Sequence, residues 1–262
     1  MTENTTKYAL YTICDNNFIE ACLVMLFSFI SNNKWFTGDI IVLHDGLSYT
    51  NSLRLKALGE NIKVVSVNID EYAPIMKGTE GITANTLKKC FYKYELFKNQ
   101  KYDTILWVDA DIIFNGSIKN LMDSDFDFCW CEDKAFVGKG TYFNTGFFIF
   151  KNNDKVRDNT FFNDIYDFTV NIRGRKFESK PIFNGLYADQ DILNEKVKSY
   201  FHNIKIAPML EYNLPQQVDK WEIINNAKVI HYCGGDKPFS EKINNRYISH
   251  LLWYYYFYQL NH

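Results

Sequence analysis

Asp109 and Asp111 stand two residues apart with small Ala110 between them. In extended backbone, side chains at that spacing point the same way, so the two carboxylates can hold one divalent cation. Adjacent carboxylates without a counter-charge repel and raise each other's pKa, and Mn2+ or Mg2+ between them is the simplest compensation. Alone, the Asp-x-Asp reads equally well as a turn whose carboxylates are solvated caps. A second candidate is His231 to Phe239, HYCGGDKPF. Imidazole is a good Mn2+ ligand, glycines such as Gly234 let backbone N–H groups approach phosphate oxygens, and Lys237 can neutralise the same oxygens. These parts suit a metal-diphosphate site. The plainer reading is a strand end with a Gly-Gly turn and a surface lysine.

Both segments need a scaffold that delivers them. The first hundred residues alternate short apolar runs with amphipathic stretches, the pattern of βα units feeding a mostly parallel sheet. Strands are expected at Tyr8 to Ile13, Asp39 to Leu43 and Ile62 to Ile69. A helix capped by Asp15, Asn16 or Asn17 should run to about Ser31, with Phe18, Ala21, Cys22, Met25 and Phe29 on its sheet-facing side. Thr50 to Leu58 reads as a helix, Asp70 to Thr83 as a long loop and Asn85 to Phe97 as a further helix. Thr104 to Val108 is a buried strand that runs into Asp109, and open α/β sheets place ligands at such strand ends. Beyond it the pattern becomes α+β. Strands are expected at Phe126 to Cys131, Gly146 to Phe150 and Lys228 to Tyr232, and helices at Lys155 to Val170, Gln190 to Tyr200 and Glu241 to Leu260. No linker, composition shift or repeat divides the 262 residues, so one domain is expected.

Composition narrows the function classes. With 29 basic and 31 acidic residues the net charge is −2, so no global field draws the chain onto nucleic acid. The longest apolar runs, Leu23 to Phe27 and Leu251 to Tyr258, fall short of the roughly 20 residues of a membrane-spanning helix. The polar start lacks the basic-then-apolar pattern of a secretory signal, and a cytoplasmic protein is the expectation. Six scattered cysteines suit buried thiols better than a disulfide framework, and Cys129 and Cys131 have no second pair to complete a zinc site. Aromatic residues make up 17%, enough to build most of a core and also to offer platforms for sugars.

At these motifs the chain resembles the glycosyltransferase family 8 enzymes, the group that includes glycogenin, galactinol synthases and bacterial lipo-oligosaccharide galactosyltransferases. Tyr8 to Ser28 is similar to the family's nucleoside-binding strand and helix, and ILWVDADIIF (Ile105 to Phe114) to its metal strand. YFNTGFF (Tyr142 to Phe148) is similar to the segment beside the donor sugar, Asp189-Gln190 to the Asp-Gln helix start, and His231 to Phe239 to the His-x-x-Gly-x-x-Lys-Pro-Trp segment. The resemblance implies an α/β, single-domain GT-A type fold with a mostly parallel, Rossmann-like sheet flanked by helices. Residues up to about 111 would form the nucleotide-binding half and those from about 112 the acceptor and metal-closing half.

Carried over position by position, the resemblance implies that Asp109, Asp111 and His231 bind Mn2+, with Gly234 and Lys237 on the diphosphate and Ala110 beside it. Asn144, Asp189 and Gln190 would be the catalytic, sugar-side residues. Thr12, Asp15 and Phe18 fall at the nucleoside, and Lys89 at the basic position before the metal strand, with Lys93 one turn on. The implied reaction is retaining transfer of a hexose, glucose or galactose, from a UDP-sugar to a hydroxyl of a glycan, polyol, lipid-linked sugar or protein. Front-face attack and a short-lived adduct with Gln190 both satisfy retention. The implied partners are the UDP-sugar, the acceptor and, at most, a second copy in a homodimer. Two other classes compete. A haloacid-dehalogenase-like phosphatase also places Asp-x-Asp after an apolar strand, but on its first strand and with Thr or Val where Ile113 stands. A sugar-nucleotide-binding or scaffolding protein would keep the fold without turnover, using Trp253 to Tyr258 as a docking surface rather than as core.

Overall fold

Four apolar runs in the first hundred or so residues pair side by side. The computed structural model describes residues 7–76, 89–98, 100–134, 142–172, 188–240 and 246–262. Strands β1 (Tyr8–Ile13), β2 (Asp39–His44), β3 (Ile62–Ser66) and β4 (Thr104–Val108) are parallel, in spatial order β3-β2-β1-β4. Strands β1, β2 and β4 lie within one residue of the expected spans, because each is a mostly apolar run whose central residues are buried on both faces.

Strand β5 (Ile112–Phe114) follows the Asp-x-Asp directly and was not expected, since three residues carry no readable period. Strands β6 (Phe128–Glu132), β7 (Phe143–Lys151) and β8 (Ile204–Ala207) complete a seven-stranded sheet in the order β3-β2-β1-β4-β7-β6-β8. Only β7 runs against the other six. Strands β9 (Leu214–Pro215) and β10 (Val229–His231) join β5 in a small second sheet, with β10 antiparallel to β5 and parallel to β9.

Several helices depart from expectation. The first spans Ile19–Asn32, later than expected, because the Asp15 carboxylate accepts the Asn17 and Phe18 N–H groups at 2.8 Å and spends itself on a turn before the helix. The expected loop from Asp70 begins as a helix, Ile69–Met76, in which burial of Tyr72 and Ile75 overrides Pro74; positions 77–83 lie outside the described residues. Of the helix expected at Asn85 to Phe97, Tyr92–Phe97 is 3-10 and 85–88 are outside the described residues. The helix expected at Lys155 to Val170 breaks at Asn159, whose φ of 65° is left-handed, into Asp154–Arg157 and Thr160–Ile172. The helix expected from Glu241 spans Ile248–Asn261, and 241–245 are outside the described residues.

The aromatic surplus is mostly core. Phe128 is fully buried, with ring centroids 5.0 Å from Trp130, 5.3 Å from Phe148 and 5.0 Å from Phe201. The helix Ile248–Asn261 buries Trp253 and Tyr256 and leaves Leu251, Tyr255 and Tyr258 exposed, so its aromatics divide between packing and surface. No helix among the described residues is long and apolar enough to cross a membrane. Phe128→Ala should destabilise the fold by about 3–5 kcal/mol, measured by denaturant unfolding; a loss below about 1 kcal/mol would contradict the packing described.

Candidate active site

The Asp-x-Asp leaves β4 and enters β5 within four residues, and both of its ends are held by backbone. The Asp109 N–H donates to Gly146 O on β7 at 2.7 Å, and the Tyr232 N–H donates to Asp111 O at 2.8 Å. The β5–β10 register places His231 opposite Ile112, next to Asp111. One ligand atom from each of Asp109, Asp111 and His231 lies within 4.8 Å of the others. His231 Nε2 is 3.3 Å from Asp111 Oδ1, and its Nδ1 donates to Asn213 Oδ1 at 3.0 Å. Because that amide oxygen can only accept, Nδ1 is the donor there, and Nε2 is the ring nitrogen turned toward the carboxylates. Two carboxylates and an imidazole form a donor set that fits Mn2+ or Mg2+. Trp107 Nε1 donates to Asp109 Oδ1 at 2.7 Å and sets that carboxylate's angle.

Gly146 is required by the crowding at this point. A Cβ there would lie 2.4 Å from His231 Cε1, 2.9 Å from Asp109 Oδ2 and 3.0 Å from Asn144 Oδ1.

The two aspartates are tuned in opposite directions. Burial pushes the Asp109 carboxyl above the usual range, and the neighbouring Asp111 charge adds to this against the opposing pull of Lys93. Burial also acts upward on Asp111, but His231 and Lys237, which both contact it, more than offset this and hold it well below the usual range.

The triad borders a cavity of about 780 Å3. Asp15, Phe18, Lys89, Ala110, Asn144, Asp189, Gln190, Gly234 and Lys237 all line it, so the expected site residues converge with one exception. Thr12 is fully buried outside the lining, and its hydroxyl has no partner among the described residues. Position 12 lies mid-strand with its side chain in the interior, away from the lining. Phe18 stands edge-on to Phe239, centroids 5.5 Å apart, which ties the cavity wall at Phe18 to the end of the His231 segment. Gly234 has a φ of +103°, a conformation that L side chains rarely adopt.

Besides Lys237, the basic group set against the carboxylates is Lys93. Lys89 lines the cavity but its ammonium pairs with Asp15. Lys93 is buried, donates to Asp189 Oδ2 at 2.6 Å and to Thr145 O at 2.8 Å, and sits 3.6 Å from Asp109 Oδ1 and 5.0 Å from the Trp107 ring centroid. Burial opposes its charge, but Asp109 and Asp189 outweigh that and raise its pKa. The available signal was a lysine inside the aromatic run Phe91-Tyr92-Lys93-Tyr94, which cannot be buried without a carboxylate partner. Asn213, Trp107 and Gly146 were also missed as supports, because their role depends on contacts far along the chain.

On the sugar side, Gln190 Oε1 accepts the Thr145 N–H at 3.2 Å and its Nε2 donates to Asp133 Oδ2 at 3.2 Å. Asn144 Oδ1 accepts the Gly146 N–H at 2.9 Å, and its Nδ2 reaches both Asp133 and Gln190 at 3.4 Å.

The family model described as glycosyl transferase family 8 matches residues 10–242. The chain belongs to glycosyl transferase family 8. The matched span takes in both sheets except the first two residues of β1, and it includes Asp109, Asp111 and His231. Glycosyltransferase GlyB of Streptococcus pneumoniae serotype 4 is 26% identical over 212 residues, which cover 78% of this chain and 49% of GlyB. The chain thus spans about half the length of that curated relative. Among solved structures, galactosyltransferase LgtC in complex with donor and acceptor sugar analogs aligns with a TM-score of 0.70 at 17% identity, covering 97% of this chain and 96% of LgtC. Glycosyltransferase GlyE of Streptococcus pneumoniae TIGR4 aligns with a TM-score of 0.65 at 17% identity, covering 98% of this chain and 62% of GlyE. These likenesses show the expected GT-A type α/β fold.

Two outcomes follow from the geometry of this family 8 site. Gly146→Ala should weaken Mn2+ binding about 10- to 100-fold by calorimetry, because the new methyl displaces His231 and Asp109 together; unchanged affinity would mean that the triad does not hold the ion. In the ion-free protein Asp109 should take up a proton at higher pH than Asp111, followed by carboxyl NMR titration, and Mn2+ affinity should weaken as that proton is added; the reverse order of the two aspartates would contradict the assignment.

Proposed function

We propose that this chain is a retaining hexosyltransferase that moves glucose or galactose from a UDP-sugar to a hydroxyl of a glycan, polyol, lipid-linked sugar or protein, with Mn2+ as its resident ion. The observation that carries the reading is that Asp109, Asp111 and His231 converge on a cavity that Asp189, Gln190 and Asn144 line as well. Family membership supports glycosyl transfer. It also removes the haloacid-dehalogenase-like alternative, whose catalytic Asp would belong to the first strand rather than to β4.

Asp109, Asp111 and His231 would hold the ion, which when bound supplies Lewis-acid stabilisation of the departing diphosphate. Lys237 and the Gly234 backbone serve the same oxygens. Lys237 now pairs with Asp111 and donates to Tyr232 O at 3.0 Å, so it is held beside the place where the new negative charge develops. Phe18 and Asp15 face the nucleoside. On the sugar side, positive charge grows at C1 in an oxocarbenium-like transition state, and the Asp189 carboxylate and the Gln190 amide are dipoles and charge already fixed in place before it forms. Lys93 lies between Asp189 and Asp109 and offsets the charge of both. In this reading, residues up to about 111 supply the nucleotide-binding half and the remainder closes the metal and acceptor side.

Release of UDP from UDP-glucose and UDP-galactose, assayed with Mn2+ and again with EDTA, tests the proposal. Turnover should appear with one of the two donors and vanish with the chelator. Asp109→Ala or Asp111→Ala should lower turnover at least about 10³-fold, roughly 4 kcal/mol of barrier. Near-normal turnover by a folded variant would overturn the assignment, and UDP binding without any release by the unsubstituted chain would favour the scaffolding reading.

A further inference from the structure

Asp189 and Gln190 open the helix Asp189–Tyr200, whereas Asn144 and Thr145 belong to β7. The metal triad does not set how these two elements approach one another. Asn194 does so directly. Its Oδ1 accepts the Phe143 N–H at 2.8 Å, and its Nδ2 donates to Phe143 O at 2.8 Å and to Gln190 O at 2.8 Å. The side-chain amide therefore pairs with the β7 backbone much as a neighbouring strand would, one residue before Asn144. It stands four residues after Gln190, on the same face of the helix.

A second tie lies alongside. The Tyr142 hydroxyl donates to Asp191 Oδ1 at 2.7 Å, and Asp191 Oδ2 accepts the Ala188 N–H at 3.2 Å, closing the first turn of the helix. Burial raises the pKa of both Tyr142 and Asp191, as it does for an enclosed pair. Asn194, Asp191 and Tyr142 are all outside the cavity lining, so they act on the substrate side only through Gln190 and Asn144.

We propose that Asn194, seconded by the Tyr142–Asp191 bond, is a positioning residue that sets the register of the Asp189–Gln190 helix start against Asn144 and Thr145 and so aims the Gln190 amide at the transferred sugar. The inference rests on the sugar-transfer reading of the cavity. The Gln190 side chain is held by contacts of 3.2 Å to Thr145 N and Asp133, which a small slide of the helix would break. None of the bonds made by Asn194 reaches Asp109, Asp111, His231 or Lys237. Loss of the tie should therefore damage the chemical step and leave the metal and the nucleotide in place.

The test compares kcat for UDP-sugar turnover with the Kd for Mn2+·UDP from calorimetry. Asn194→Ala should lower kcat about 30- to 100-fold, the scale of a misplacement of about 1 Å, while the Kd stays within about twofold. Asn194→Asp keeps acceptance from the Phe143 N–H but sets a carboxylate oxygen against the Phe143 and Gln190 carbonyls, and should lower kcat at least as far as Asn194→Ala. Tyr142→Phe, which removes a single hydroxyl, should cost about fivefold in kcat alone. Unchanged kcat in folded Asn194→Ala would overturn the proposal, and so would a parallel loss of kcat and UDP affinity, the mark of a purely structural residue. If Asn194→Ala does not fold, Asn194→Asp and Tyr142→Phe decide by the same criteria. Absence of Mn2+·UDP binding and of turnover in the unsubstituted protein would instead overturn the sugar-transfer reading and this role with it, an outcome distinct from an unchanged kcat.

Discussion

Carboxylates gathered in a cavity repel one another, and the surroundings of this one are arranged around that repulsion. Asp109, Asp111, Asp133 and Asp189 all border the same space. In water their mutual repulsion would be slight, but partial burial strengthens it several-fold. The compensation is distributed. His231 and Lys237 face Asp111, Lys93 joins Asp189 and approaches Asp109, and the amides of Gln190 and Asn144 reach Asp133. The counter-groups come from four separate segments, around positions 93, 144, 190 and 231–237, so the charge balance and the fold depend on each other.

Backbone hydrogen bonds make that balance geometrically specific. The small sheet exists to carry β10 to β5, and with it an imidazole to a carboxylate 120 positions earlier in the chain. β7 supplies the other wall, holding Asp109 by its N–H and leaving no room for a side chain at Gly146. Asn213 then fixes the imidazole and Trp107 the first carboxylate. A donor set so closely braced undergoes little rearrangement when it takes up an ion, which favours tight and selective ligation.

Much of this was legible in the residue order, and the illegible part has physical causes. β1, β2 and β4 are long apolar runs bounded by turn residues, and a run of that kind admits few other structures. Asp109, Asp111 and His231 could be singled out by their ligand chemistry and, as a set, by the resemblance of the ordered motifs, since either segment alone reads as well or better as a plain strand end. β5, β9 and the 3-10 turn at Tyr92–Phe97 are too short to show a period, and their existence depends on partners distant in sequence. The choice of Lys89 over Lys93 illustrates the same limit. Both are lysines one turn apart, and only the approach of Asp189 and Asp109 decides which is drawn inside. Thr12 shows the converse, since alternation along a strand covered on both faces does not reveal which side a ligand will occupy.

The reversed direction of β7 has a consequence for how the chain is made. β4 is apolar along its whole length and lies between β1 and β7, yet β7 begins at Phe143, long after β4 ends at Val108. A ribosome that has released β4 must therefore add several dozen more amino acids before the strand that caps its outer border exists. Through that interval the nascent protein presents an uncapped, water-averse ribbon of the sort that recruits chaperones or nucleates aggregates.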